Sequence, residues 1–266
     1  MTFSIITPTF NSRDTLGLAM ESVLSQEGVD LEYLIVDGGS TDGTVELIRD
    51  YAARDSRIRW MSEPDRGIAD AFNKGIGMAT GEWVGITNSD DRLAAGALAP
   101  VAEAARRNPA ADVIHGDMLR FDEQGRPMFV LKPLDLERAI WRQMPLNHPA
   151  TFVAREVYRR CGGFDATLHY SMDYDLVLRL YREGCCFVYL PVVLAEMAYG
   201  GASDERFWAC AREASRVAIR HGSPPPAAYL HLLRNGVKGA VKQLLRRAGL
   251  ASWLRCHPRF RGPGAS

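Results

Sequence analysis

The chain has 266 residues, 47% of them hydrophobic and 24% charged, and its 32 basic and 32 acidic side chains cancel. That much apolar material can bury a sizeable core, which excludes disorder throughout. No apolar run reaches the length of a membrane span, and Met1-Thr2-Phe3-Ser4 lacks the basic stretch of a signal peptide, so a cytoplasmic protein is expected.

Phe3 to Pro8 reads as a strand, and Asn11 or Ser12 caps a helix whose Leu16, Ala19, Met20, Val23 and Leu24 share one face of a 3.6-residue period. Tyr33 to Asp37 is a second strand, followed by the turn Gly38 to Gly43 and a helix from about Thr44 to Ala53. The unit repeats: Arg57 to Ser62 is a strand, Ile68 to Met78 a helix, and Glu82 to Thr87 a strand ending in Asn88-Ser89-Asp90-Asp91. This rhythm builds an α/β fold, a central and mostly parallel sheet flanked by helices. Ligands of such sheets bind beyond the carboxyl ends of the strands, where Asp37, Asp90 and Asp91 stand. After a helix near Ala94 to Arg107 and a strand at Asp112 to Met118, Gln124 to Pro127 marks a hairpin tip, so the second half is read as mixed sheet. Ser171-Met172-Asp173-Tyr174-Asp175-Leu176 opens a helix continued by Val177, Leu180 and Tyr181. Gly222 to Pro226 is a stiff break, and Tyr229 to Leu254 reads as one or two basic amphipathic helices.

Two carboxylates on one tight turn, Asp90 and Asp91, repel each other unless a cation or a base shares the site. Magnesium and manganese suit it, because hard cations take carboxylate oxygens together with substrate phosphate oxygens; a helix N-cap with a solvated neighbour suits it too. Asp37 reads a ribose or base edge, or merely starts the glycine turn. Asp173 and Asp175 are favoured in a first helical turn by electrostatics alone, and facing a crevice one of them can take the proton of an attacking hydroxyl. His148, just before an apolar strand, is either a structural hydrogen-bonding residue or a functional one.

Neither Gly38-Gly39-Gly43 nor Gly75-Gly77 has dinucleotide-binding spacing and no P-loop is present, which removes Rossmann-type NAD binding and P-loop ATP hydrolysis. The five cysteines form no CxxC pair and are read as reduced thiols, mostly in the core. From Ala214 to Ser266 there are ten Lys or Arg and no acid, leaving 22 basic and 32 acidic residues before them. In this tail Ala227, Leu230, Leu233, Val237, Val241, Leu244 and Leu245 approximate one apolar face among Arg234, Lys238, Lys242, Arg246 and Arg247. Residues 227–261 therefore suit either an anionic membrane surface or packing on the rest of the chain. No aromatic stacking platform accompanies the charge, so nucleic acid is not an expected partner.

In this order and at these separations the pieces resemble glycosyltransferase family 2, the inverting family with the GT-A fold. The resemblance rests on Ser4 to Asn11, Leu34 to Gly43, Glu63 to Gly75, Asn88 to Asp91, and Gly163-Phe164-Asp165 through Asp175, and covers about residues 3 to 200. It implies a GT-A-like nucleotide-diphospho-sugar transferase fold over 1–222, with a donor half at 1–118 and an acceptor half at 119–222, and a basic helical extension over 223–266. Thr7, Pro8, Thr9, Asn11, Asp37, Gly39 and Ser89 are then donor-nucleotide residues, with Asp65, Arg66, Asp70 and Asn73 closing around the base and the sugar diphosphate. Asp91 with Asp90 binds Mn2+ or Mg2+, and Asp90 also faces the donor. Asp173 is the general base, and His148, Tyr174 and Asp175 lie on the acceptor side.

The activity so implied is metal-dependent, inverting transfer of a hexose-like sugar from a nucleoside diphosphate, most commonly UDP, to a hydroxyl of a glycan or lipid-linked acceptor. The setting is surface polysaccharide or glycolipid assembly, on the inner face of the plasma membrane if the tail binds lipid. Asn88 stands where the family often has Asp, which bears on metal affinity, and Met172 where it often has Glu, which bears on acceptor geometry. Those departures leave a noncatalytic sugar-nucleotide-binding protein as the alternative. A nucleotidyltransferase of related fold needs a Gly-rich loop after the first strand, and Thr7-Pro8-Thr9-Phe10-Asn11 provides none.

Overall fold

A computed structural model describes residues 1–122, 125–198, 206–247 and 260–261. Strand β1 (Thr2–Thr9) sends Phe3 and Ile5 into one buried layer and Ile6 into another. Strand β2 (Asp30–Asp37) does likewise, with Tyr33 and Ile35 on one side and Leu34 on the other. Strands covered on both faces are apolar throughout, hence the near-continuous hydrophobic runs at these positions.

The first layer is built by helices α1 (Arg13–Leu24) and α2 (Thr44–Ala52). Helix α3 (Ile68–Met78) lies in the other layer, with Ala69 and Phe72 buried in it. Strands β3 (Ile58–Ser62) and β4 (Trp83–Ile86) complete a parallel segment in the order β3-β2-β1-β4. The chain thus winds outward from β1 and returns on its other side. That reversal opens a crevice between the carboxyl ends of β1 and β4, the place where α/β sheets bind ligands.

The remainder of the sheet departs from the mostly parallel expectation. After β5 (Asp91–Leu93) and helix α4 (Leu98–Arg107), β6 (Val113–Phe121) and β7 (Pro127–Leu131) form an antiparallel hairpin. Helix α5 (Leu136–Ala139) precedes β8 (Thr151–Ala154), which bridges β4 and β6 antiparallel to both. For β6 and β7 the reason is connectivity: a short hairpin link can only make antiparallel neighbours, whereas parallel ones need a helical crossover.

Helices α6 (Arg155–Cys161) and α7 (Met172–Arg182) follow, and then β9 (Phe187–Ala198) runs parallel to β6. Near its end β9 also pairs antiparallel with β5, setting Asp91 opposite Met197. Strand β5 occupies residues just before the span read as helix, and α4 starts at Leu98, not Ala94. Helices α8 (Phe207–Arg220) and α9 (Pro225–Arg247) flank the Gly222 to Pro226 break, and β10 (Phe260–Arg261) pairs with β7. The rest of the tail after Arg247, and Gln124 of the hairpin tip, lie outside the described residues.

Of the cysteines expected mostly in the core, Cys185 is buried, Cys161 and Cys210 are partly exposed and Cys186 is exposed. No described helix is long and apolar enough to cross a membrane.

Gly85 shows how tightly β4 is held. It pairs with Phe152 of β8, and a Cβ there would lie 2.7 Å from the Phe152 ring and 3.0 Å from Ile5, both fully buried. Gly85→Ala is expected to destabilise the fold by about 1–3 kcal/mol through overpacking. The check is a lower urea midpoint at unchanged slope.

Candidate active site

At the crevice between β1 and β4 lies a cleft of about 550 Å³, within the roughly 300–1,000 Å³ of small-molecule sites. Pro8 and Thr9 enter it from the end of β1, Asn88, Ser89 and Asp90 from the end of β4, and Asp65 from the loop before α3. Ser89 is fastened by a 2.9 Å hydrogen bond to Ser12. An adjoining groove shares Ser12, Ser89 and Asp90 and adds Asn11. The structure therefore gathers Pro8, Thr9, Asn11, Asp65, Ser89 and Asp90 at one place.

Asp91 opens β5 with 1% of its surface exposed. Its Oδ2 accepts a 2.9 Å hydrogen bond from the Asn88 amide, and its Oδ1 has no partner. Burial and the neighbouring Asp90 charge push its carboxyl up to about 7, against a downward pull from Asn88 and Arg120. Buried oxygens of Thr9, Thr87 and Asn88 are unpartnered as well. An unpaired buried polar group costs about 1–3 kcal/mol, so a cluster of them calls for a ligand. Hard oxygen donors beside the exposed carboxylate of Asp90 fit Mg2+ or Mn2+. Among the described residues no three His, Cys, Asp or Glu side chains converge on one metal position. Asp91, with Asp90 beside it, would hold such an ion, the remaining places falling to substrate phosphates and water. Asn88, a departure by sequence, is here the side chain that orients Asp91.

Other expected donor residues have partners of their own within the chain. Thr7 is fully buried, its hydroxyl 2.9 Å from that of Tyr33. Asp37 is also fully buried and accepts from the Gly39 and Ser40 amides at 3.0 Å and from Ser62 at 2.6 Å. Of its two readings, these contacts describe the turn-starting one. Gly39, at φ 88°, sits in the left-handed region that this turn requires. Asn11, at φ 48°, accepts from the Thr41 amide and ties the first turn to the second. Arg66 is exposed and pairs with Asp70, while Asn73 clamps Phe164 through two 2.8 Å bonds to its backbone.

Asp173 stands in the first turn of α7, next to His148, whose ring lies 5.6 Å from Phe72 and 5.7 Å from Phe164. Helix α3 lies beside both places: its Ala71 lines the cleft and the next residue, Phe72, packs on His148. Burial raises the carboxyl of Asp173, with Glu213 adding to the rise and His148 opposing it, and burial lowers His148.

Tyr174 and Asp175 are both buried and bonded within the chain. Tyr174 is 2% exposed and donates its hydroxyl to the Ile140 carbonyl. Asp175, equally buried, pairs with Arg179 at 3.0 Å and shares a 2.8 Å hydrogen bond with the His221 ring. The i, i+4 spacing of Asp175 and Arg179 is the signal for that structural role.

Phe10, Ile68, Arg120 and Met197 also wall the cleft. An exposed aromatic directly after a strand-end Pro-Thr is a readable hint for Phe10. Arg120 and Met197 arrive through the β6–β9 pairing, which spacing cannot show. Glu213 of α8 accepts from the His169, Tyr170 and Ser171 amides at 2.6 to 3.0 Å, holding the loop that presents Asp173.

The family model of glycosyl transferase family 2 matches residues 4–168. A PGL/p-HBAD biosynthesis glycosyltransferase of Mycobacterium bovis is 30% identical over 226 residues, covering 82% of this chain and 87% of that protein. Chondroitin synthase of Escherichia coli is 27% identical over 183 residues, 68% of this chain and 26% of that protein. Among solved structures, S. aureus TarS 1–349 in complex with UDP-GlcNAc superposes with a TM-score of 0.65 at 20% identity over 87% of this chain and 70% of that one. The chain spans 42% of a longer TarS chain. The mannosyltransferase PcManGT from Pyrobaculum calidifontis, in complex with GDP-Man and Mn2+, superposes with a TM-score of 0.67 at 22% identity over 96% and 81%.

Proposed function

Because this chain belongs to glycosyl transferase family 2 and has a GT-A-like fold, we propose that it is an inverting, metal-dependent transferase that moves a sugar from a nucleoside diphosphate, UDP first among candidates, to a hydroxyl of a glycan or lipid-linked acceptor. Residues 1–118 would serve the donor and 119–222 the acceptor. The observation that carries this reading is Asp91: a buried carboxylate with one unpartnered oxygen, next to Asp90, which lines a cleft large enough for a sugar nucleotide. TarS with UDP-GlcNAc and PcManGT with GDP-Man and Mn2+ support the ligand class.

In the proposed step the acceptor oxygen bonds to the anomeric carbon as the bond to the diphosphate oxygen breaks. The electron pair departs with the diphosphate, and the hydroxyl proton passes to Asp173. A divalent cation bound at Asp91 would supply charge neutralisation on the departing diphosphate. Phe10 would offer an aromatic ring to a nucleobase, and Arg120 a positive charge in the same cleft. Attack opposite the leaving group gives inversion.

Asp91 gives the reading a pH signature. Its folded value near 7 lies above the ordinary carboxylate value of roughly 4. The folded state therefore holds this proton more tightly, and the stability so gained is complete below the unfolded value and lost as pH rises through about 7. A cation competes for the same oxygen, so Mn2+ affinity should rise about tenfold per pH unit up to about 7 and then level off. Thermal melts at fixed Mn2+ across this range check it. A Mn2+-induced stabilisation that does not change with pH would remove Asp91 as the metal ligand.

A further inference from the structure

A second pocket, of about 230 Å³, lies between residues 134–143 and helix α9. Arg138 and Arg142 line it from the first segment, His231 and Arg234 from the second. Asp135, its carboxylate, lies 3.9 Å from Arg138. Among the described residues neither Arg142 nor Arg234 makes an ion pair. Burial, with the charges of Arg142 and Arg234, holds His231 below the ordinary imidazole range, which puts both guanidinium groups near one ring.

The packing of α9 leaves large apolar side chains outside. Ala228 is buried, and a Cβ on Gly236 would collide with the Trp208 ring of α8, so the small-residue side is the packed one. Leu230, Leu233 and Val237 are each at least 57% exposed. They follow one another at i, i+3 and i+7, and Arg234 is one turn from both Leu230 and Val237. Arg234 thus belongs to the apolar strip and to the pocket alike. The sequence adds direction, with ten basic residues and no acid from Ala214 to Ser266.

We propose that this pocket and strip dock the chain on an anionic phospholipid surface, with a phosphate headgroup held by Arg138, Arg142 and Arg234 and with Leu230, Leu233 and Val237 entering the acyl boundary. Guanidinium groups match phosphate oxygens in pairs. A helix that carries cations and bulky apolar residues on one exposed side is built for the headgroup boundary. The segment is tied to the acceptor side too, since the Ile140 carbonyl accepts the hydroxyl of Tyr174, the residue after Asp173. The docking itself does not depend on the transfer chemistry.

The test is co-sedimentation of the full chain with phosphatidylcholine vesicles, with and without a third of phosphatidylglycerol. Binding is expected to the anionic vesicles and to weaken as salt is added. Arg142→Glu with Arg234→Glu should lower the partition coefficient by at least about tenfold, as should Leu233→Ser with Val237→Ser, while Arg106→Glu on α4 should change it less than about twofold. Arg142 is the discriminating position, because it lies off the basic tail. Thermal melts of each variant establish that it is folded before binding is read. Equal binding to neutral vesicles, or unchanged binding by the double arginine variant, would overturn the proposal. So would stabilisation by inorganic phosphate through Arg142 and Arg234 without vesicle binding, which would make the pocket a soluble-anion site.

Discussion

Asp173→Asn is expected to lower turnover by about 10²- to 10⁴-fold, the usual worth of a positioned general base, while donor binding stays near that of the unaltered chain. The variant keeps the shape of a carboxylate, and the Tyr174 amide that now donates to Asp173 at 2.7 Å can donate to the new carbonyl instead. Folding should not suffer, because burial and Glu213 already disfavour the charge that is removed. The direction of the Asp173 shift also sets the acid limb of the rate profile: activity falls as pH drops through a raised carboxyl value, and the limb disappears in the variant. Transfer at the original rate would take the base assignment away from Asp173. Single-turnover assays with a saturating sugar nucleotide separate this effect from binding.

Asp91→Asn should abolish the response to Mn2+ and lower transfer by about 10³-fold, since several kcal/mol of charge stabilisation on the leaving group would be lost and each 1.36 kcal/mol is tenfold. Its stability in the absence of metal should move the other way. At pH 8 the buried carboxylate is ionised with one oxygen unpartnered, and a neutral amide removes that cost. A urea midpoint no lower than that of the unaltered chain, together with a lost Mn2+ effect on the thermal melt, is the expected pair of results. A Mn2+ effect that survives would move the metal site elsewhere.

Much of the donor half is legible because its elements are long and periodic. Leu16, Ala19, Met20 and Val23 mark α1 by spacing alone, and the runs Phe3 to Pro8 and Tyr33 to Asp37 mark strands buried on both sides. Asp90 and Asp91 stand out because two adjacent acids after an apolar strand are unfavourable without a partner. The second half is harder, since its geometry depends on pairing across the chain. Strand β5 has three residues and exists because β9 lies beside it, about a hundred positions later. That pairing buries Asp91 and leaves Asp90 in the cleft, a difference that adjacency in sequence cannot supply. The partners of polar residues are hidden in the same way: Tyr33 for Thr7, the Gly39 and Ser40 amides for Asp37, and Arg179 and His221 for Asp175 are contacts that only the folded chain shows. Met172 is buried in the apolar core, so it contributes packing where an acid at that position would have contributed charge.

The cleft is proposed to bind a nucleoside diphosphate through a metal. Calorimetric titration with UDP, GDP and dTDP, with and without Mn2+, tests it most directly. Metal-dependent binding that selects one nucleotide, UDP first, and that fades below pH 7 as Asp91 takes up its proton is the expected result. Failure of all three nucleotides to bind with Mn2+ present, in a chain whose thermal melt shows it folded, would contradict it.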